Sequence, residues 1–180
     1  MKKIKMELTT ASVRNALYEV QKYRDDLKRR TELLRQRIGE VIRWTAEDGF
    51  ASAIVDDTFM TVSGGVKTPV EPRHAQVDVS IHDEGDTTVI LANGEDAVWV
   101  EFGAGVHHNG SVGSSPHPNG AGLGFTIGSY GTNGRKEVWG FYEGGQLVLT
   151  HGTPASMPMY RGVREACDHI AEIAREVFQS

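Results

Sequence analysis

Three histidines, His107, His108 and His117, fall within one stretch, AVWVEFGAGVHHNGSVGSSPHPNG (residues 97–120), and His151 follows further along. Neutral imidazole is the commonest metal ligand, so the first chemistry to weigh is metal-dependent hydrolysis run from the loop 107–117. The spacing argues against it. Adjacent His107 and His108 point to opposite sides of an extended chain, no HExxH occurs, and no carboxylate follows at the short fixed spacing of a general base. Cys167 is the single cysteine, which excludes a disulfide and any Cys-x-x-Cys zinc site. It also falls in an apolar helical stripe, where a thiol behaves as a small hydrophobe. Gly103 and Gly105 make no phosphate cradle, because no GxGxxG opens a helix and no GxxxxGK exists in the chain. We expect no catalytic residue, no metal and no cofactor, with a small metal-dependent hydrolase using the loop 107–117 as the alternative.

The other use for such a loop is recognition. From 103 to 135 no helical or twofold period is sustained, apart from a short apolar patch at Leu123, Phe125 and Ile127. A stretch of that kind on a rigid scaffold is a surface that another protein reads, and 106–134 is expected to be dispensable to the fold. The candidate interface residues are Glu101, Phe102, Gly103, His107, His108, His117, Trp139 and Tyr142. Strand alternation places Glu101 opposite Val100 and Phe102, solvated or paired across a subunit boundary. Gly103 lets the strand end turn sharply. Trp139, Phe141 and Tyr142 read as cross-strand packing, with one of them able to anchor an interface.

The elements that must position these residues follow from periodicity. Val13, Leu17, Val20, Leu27, Leu34, Ile38 and Val41 recur at spacings of 3, 4 or 7, and neither Gly nor Pro interrupts residues 10–38. That predicts a helix over 10–48, capped by Thr9 or Thr10 and fading at EDGF. Its stripe is narrow for a rod of about 55 Å at 1.5 Å per residue, so part of it is expected to pack on another subunit. After a polar connection at SGGVKTPVEPRH the period becomes twofold, predicting antiparallel strands across 73–150. Val77, Val79 and Ile81 lead to a turn at DEGD, TTVILAN leads to Asn93-Gly94, and Val98, Val100 and Phe102 mark a third strand. EVWGFYEGGQLVLTHG predicts a hairpin turning at Gly144-Gly145. A second helix is expected over 156–178, with Ser156 as N-cap, Pro158 in its first turn, and a buried stripe of Tyr160, Val163, Cys167, Ile170, Ala174 and Val177 lying on the sheet. Gly162 weakens that helix locally. The result is a single α+β domain, residues 1–180: a long N-terminal helix, an antiparallel β-sheet with a long inserted loop at 103–135, and a C-terminal helix packed on the sheet.

Charge and composition exclude several classes. The net charge of -5 is unevenly spread: residues 1–50 hold 12 Lys/Arg against 8 Asp/Glu, and residues 51–180 hold 7 against 16. An acidic body repels nucleic acid, and the N-terminal cations alternate with acids as on a solvated helix face. No apolar run is long enough to span a bilayer and no signal h-region follows the basic start, so the chain is expected in the cytosol with no membrane partner.

VWVEFGAG (98–105), SPHPNG (115–120), RKEVWGFYEGG (135–145) and GTPASMPMYRGVRE (152–165), in that order, resemble the putative tail-component family of tailed bacteriophages, also described as tail-completion, neck or head–tail joining proteins. The resemblance implies a small α+β virion protein without catalytic activity. Such a subunit forms a homo-oligomeric ring at the head–tail junction or the head-proximal end of the tail. It also implies neighbouring connector, tail-terminator or tail-tube proteins as partners, genomic DNA passing through the ring without specific binding, and assembly in the host cytoplasm. The chain departs from the family pattern at Met159, where an aromatic is usual, and at Gly162, where a proline or a helix former is usual.

Overall fold

A computed structural model describes residues 9–55, 57–108, 111–112, 115–123 and 136–179. The first element is the helix α1 (Thr10–Ser52), which Thr9 caps from extended backbone by accepting the Ser12 N–H on Oγ1 at 3.2 Å. At 1.5 Å per residue α1 is about 64 Å long. It passes through EDGF instead of fading there, because Ala46 and Phe50 are buried in the core and tertiary packing overrides the local weakness of Gly49. Ala53 then turns to extended backbone and ends the helix.

The strands are β1 (Ile54–Val55), β2 (Thr58–Ser63), β3 (Val66–Pro69), β4 (Arg73–His74), β5 (Asp78–Glu84), β6 (Thr87–Asn93), β7 (His107–His108), β8 (Ser111–Val112), β9 (Trp139–Glu143) and β10 (Gln146–Thr150). A short helix α2 (Ala97–Phe102) follows β6, a 3-10 turn covers Ala121–Leu123, and α3 (Pro158–Gln179) closes the chain. The largest sheet is antiparallel with order β3-β2-β10-β9. β5 and β6 form a separate two-stranded ribbon in which Ile81 faces Ile90 and Val79 faces Ala92. The molecule is α+β, as the periodicities predict.

Three differences from the sequence pattern have identifiable causes. The segment SGGVKTPVEPRH is not a plain connection. Gly64 and Gly65 adopt positive φ and turn β2 into β3, so strands begin at Ile54 rather than at 73. Residues 97–102 form a helix, not a third strand. Ala97, Val100 and Glu101 are its buried residues, at helical spacing, while Val98 and Trp99 are exposed; six residues of β-prone type are too few to outweigh packing.

The third difference is the face that α3 buries. Pro158, Gly162, Ala166 and Val177 are buried, whereas Val163 and Cys167 are exposed and Ile170 is 47% exposed. The buried face meets α1 running antiparallel to it. Gly49 lies against Pro158, Gly162 lies against Ile42, and Arg37 pairs with Glu176 at 2.7 Å. A Cβ on Gly162 would stand 2.7 Å from the Ile42 carbonyl oxygen, so this glycine sets how closely the helices approach rather than merely weakening α3. Ala46, Phe50, Ala53, Val55, Val79, Ala97 and Val100 form the core between α1, the ribbon and α2. Among the described residues no helix is long and apolar enough to cross a membrane.

Candidate functional site

Residues from three of the stretches singled out in the sequence, 98–105, 115–120 and 152–165, meet at the start of α3. Glu101 sits in the last turn of α2, 7% exposed, and its carboxylate accepts three hydrogen bonds. Oε2 takes the Met159 N–H at 2.8 Å, and Oε1 takes the Tyr160 N–H at 2.9 Å and His117 Nε2 at 3.1 Å. The first N–H groups of a helix have no partner within it and carry the positive end of its dipole, so a buried carboxylate is the group best matched to them. Glu101 therefore caps a helix that lies 58 residues further along the chain.

That arrangement corrects two expectations. Glu101 is not a solvated or intersubunit carboxylate on a strand face. Ser156 is not the N-cap, because the first intrahelical bond runs from Arg161 N–H to the Met157 carbonyl and Met157 holds the cap position at φ 53°. A methionine side chain there offers no strong acceptor, and the left-handed backbone costs about 1–3 kcal/mol. Ser156 instead donates its N–H to the Val100 carbonyl at 2.8 Å, tying the segment before α3 to α2.

His117 is also 7% exposed and belongs to the same node rather than to a free surface. Its Nδ1 accepts the Asn119 N–H at 3.0 Å, which leaves Nε2 as the protonated nitrogen that donates to Glu101. The ring packs at 4.5 Å from Phe102 and edge-on at 5.3 Å from Tyr160. Pro116 and Pro118 on either side restrict the backbone that carries it. His117 lies inside the stretch 106–134 expected to be dispensable to the fold, and its imidazole completes the Glu101 bonding. Leu123 is exposed, and Phe125 and Ile127 lie outside the described residues. His107 and His108 pair through their backbone with Val112 and Ser111.

Gly103 ends α2 at φ 77° and packs against Ala155, where a Cβ would stand 3.0 Å from its neighbours. Trp139 is joined to the same region: its indole N–H donates to the Gly105 carbonyl at 2.9 Å, and its ring leaves no room for a side chain at Gly105. Ala104 and Thr153 exchange two backbone hydrogen bonds of 2.8 Å beside it. Tyr142, on the other hand, is exposed on β9 away from this network. His151 is engaged elsewhere, stacked on Phe59 at 4.6 Å with Nδ1 at 3.2 Å from Asp57. Among the described residues no group of three or more His, Cys, Asp or Glu side chains is placed to hold a metal ion.

A groove of about 400 Å³ opens next to the node, lined by Arg73, Glu95, Asp96, Trp99 and Trp139 among others. Asp96 accepts a bidentate pair of bonds from Arg73, at 2.7 and 2.9 Å, and the Gln76 N–H at 3.1 Å. The Arg73 hydrogen bonds, helped by the Gln76 N–H, hold its carboxyl below the usual aspartate range against the opposing effect of burial. Spacing alone missed this pair. The available signal for Glu101 was a carboxylate inside the apolar run VWVEF, since burying such a charge is costly unless specific donors meet it.

Comparison of the chain with models of protein families, with curated proteins and with solved structures finds no match.

Proposed function

We propose that this protein is a non-enzymatic structural subunit of a tailed bacteriophage virion, forming a ring at the head–tail junction or the head-proximal end of the tail. The observation that carries the reading is the convergence of the family-like stretches on one scaffold. Glu101 from VWVEFGAG, His117 from SPHPNG and the Met159–Tyr160 amides from GTPASMPMY fasten α2 and the loop to the start of α3, and Trp139 from EVWGFYEGG ties the hairpin to Gly105 just beyond α2. Both Glu101 oxygens are occupied by donors and both His117 nitrogens by partners, so this buried acid–base pair is spent on holding the fold. Catalysis needs such groups directed at a substrate. An acidic body also suits a passage through which DNA slides without sticking.

The test is to add purified protein to a phage-assembly extract lacking it and to image the products by electron microscopy. Closed rings of the purified chain, with joined heads and tails restored in the extract, are expected. A chain that stays monomeric and leaves heads and tails unjoined would overturn the reading.

A further inference from the structure

Arg30 donates to the Val177 carbonyl at the end of α3, and Arg35 donates to the Gly85 carbonyl at the tip of the β5–β6 ribbon. N-terminal to those contacts α1 runs on for about 30 Å at 1.5 Å per residue. There Val13, Leu17, Val20 and Leu27 are all exposed, Leu17 at 65%. These residues continue the face that, at Leu34, Ile38 and Ile42, lies over Thr88 and Ile90 of the ribbon. Val13, Val20 and Leu27 recur every seven residues, and Arg14 and Lys28 stand beside the first and last of them. The arm thus presents an apolar strip that Arg24 interrupts between Val20 and Leu27, flanked by Arg14 and Lys28 about 21 Å apart along the helix. Its residues 10–29 hold five Lys/Arg against three Asp/Glu.

The ribbon offers the complementary surface. Its inner face, with Val79, Ile81 and Ile90, is turned toward α1 of its own chain. Strand alternation leaves Asp78, Ser80, His82 and Glu84 on the outer face, with Leu91 and Val89 opposite the middle two. Leu91 is 43% exposed. Asp78 and Glu84 bracket this apolar centre about 20 Å apart at roughly 3.3 Å per residue. The ribbon carries four acids and neither Lys nor Arg, and its two strands pair only with each other among the described residues. A two-stranded ribbon backed by a helix on its inner face alone, with both edges unpaired among the described residues, is a ready docking surface.

We propose that the arm of one subunit, residues 10–29, lies across the outer face of the β5–β6 ribbon of a second copy, with Arg14 and Lys28 meeting Asp78 and Glu84. Length and charge match in sign and spacing. The arm does not reach its own ribbon's outer face, because α1 is continuous from Thr10 to Ser52 and leads away from it. Two arms laid together would join surfaces of the same net sign. Because the donor and acceptor surfaces differ, the contact is head-to-tail, the type that closes into rings. This inference rests on the ring reading above and names the surfaces that would build the ring.

The experiment measures association by sedimentation velocity for the full chain, for Arg14→Glu/Lys28→Glu, for Asp78→Lys/Glu84→Lys, and for the two variants mixed in equal amounts. All four substituted residues are exposed, and circular dichroism checks each fold. The parent is expected to associate, each variant alone to associate about tenfold more weakly or worse, and the mixture to recover, because each reversed arm then meets an oppositely charged ribbon. If the arm variant weakens association while the ribbon variant does not, arms pair with one another and the proposal is wrong. If both variants associate like the parent, the interface lies elsewhere: the docking inference fails and the ring reading stands. A parent that remains monomeric at every concentration removes the ring reading and this inference together.

Discussion

Replacing Glu101 with Ala tests the node most directly. The substitution removes an acceptor that three donors share: the Met159 N–H at 2.8 Å, the Tyr160 N–H at 2.9 Å and His117 Nε2 at 3.1 Å. A net hydrogen bond to a charged group contributes roughly 1.5–3 kcal/mol, and a donor left buried without an acceptor costs roughly 1–3 kcal/mol. Water entering the vacated space will recover part of this, so we expect a loss of about 4 kcal/mol rather than the full sum. For a chain of this size each kcal/mol lowers Tm by about 2–4 °C, which places the Glu101→Ala midpoint roughly 8–16 °C below the parent. Glu101→Gln keeps one oxygen but turns an amide N–H₂ toward a donor, and should lose about 2 kcal/mol, between parent and Ala. Thermal unfolding followed by circular dichroism reads both. A Glu101→Ala chain within about 1 kcal/mol of the parent would refute the capping role, because no arrangement with three lost charge-assisted bonds is that cheap.

Gly162→Ala should destabilise by about 1–2 kcal/mol in urea melts even though alanine is the better helix former, since the added Cβ meets the Ile42 backbone oxygen at 2.7 Å; a gain in stability would show that α1 and α3 are not so closely packed. Ile170→Asp, at a position 47% exposed, should shift the melt by less than about 1 kcal/mol, whereas Ala166→Asp on the buried face should cost more than about 3 kcal/mol. The opposite ranking would return the apolar stripe to the core. Asp96 gives a pH signature. Its folded-state pKa is depressed, so its contribution to stability is present above the ordinary aspartate range near pH 4 and is lost as the pH falls through the folded value. Denaturation midpoints measured at pH 6 and pH 3 should therefore differ less in Arg73→Gln than in the parent, and an unchanged difference would show that Arg73 does not set the Asp96 titration.

Elements whose specifying contacts lie within a few residues were legible in the sequence. α1 is encoded by its apolar spacing, the lack of Gly or Pro over residues 10–38 and the Thr9 cap. The β9–β10 hairpin is encoded by Gly144 and Gly145, both at positive φ, and the β5–β6 turn by Gly85. Tertiary structure decided the rest. VWVEF has the alternation of a strand and became a helix because Ala97, Val100 and Glu101 had to reach one side together. In α3 the periodic apolar residues Val163 and Ile170 stayed exposed, while Gly162 and Ala166 were buried, because a close helix–helix contact selects small side chains over large apolar ones. The His-rich stretch looked like one surface, but His117 is buried with a partner 16 residues back. Glu101 acquires its role only when the backbone of Met159 and Tyr160 is brought to it. Periodicity reports which residues prefer burial; it carries no term for a donor that arrives from 58 positions away.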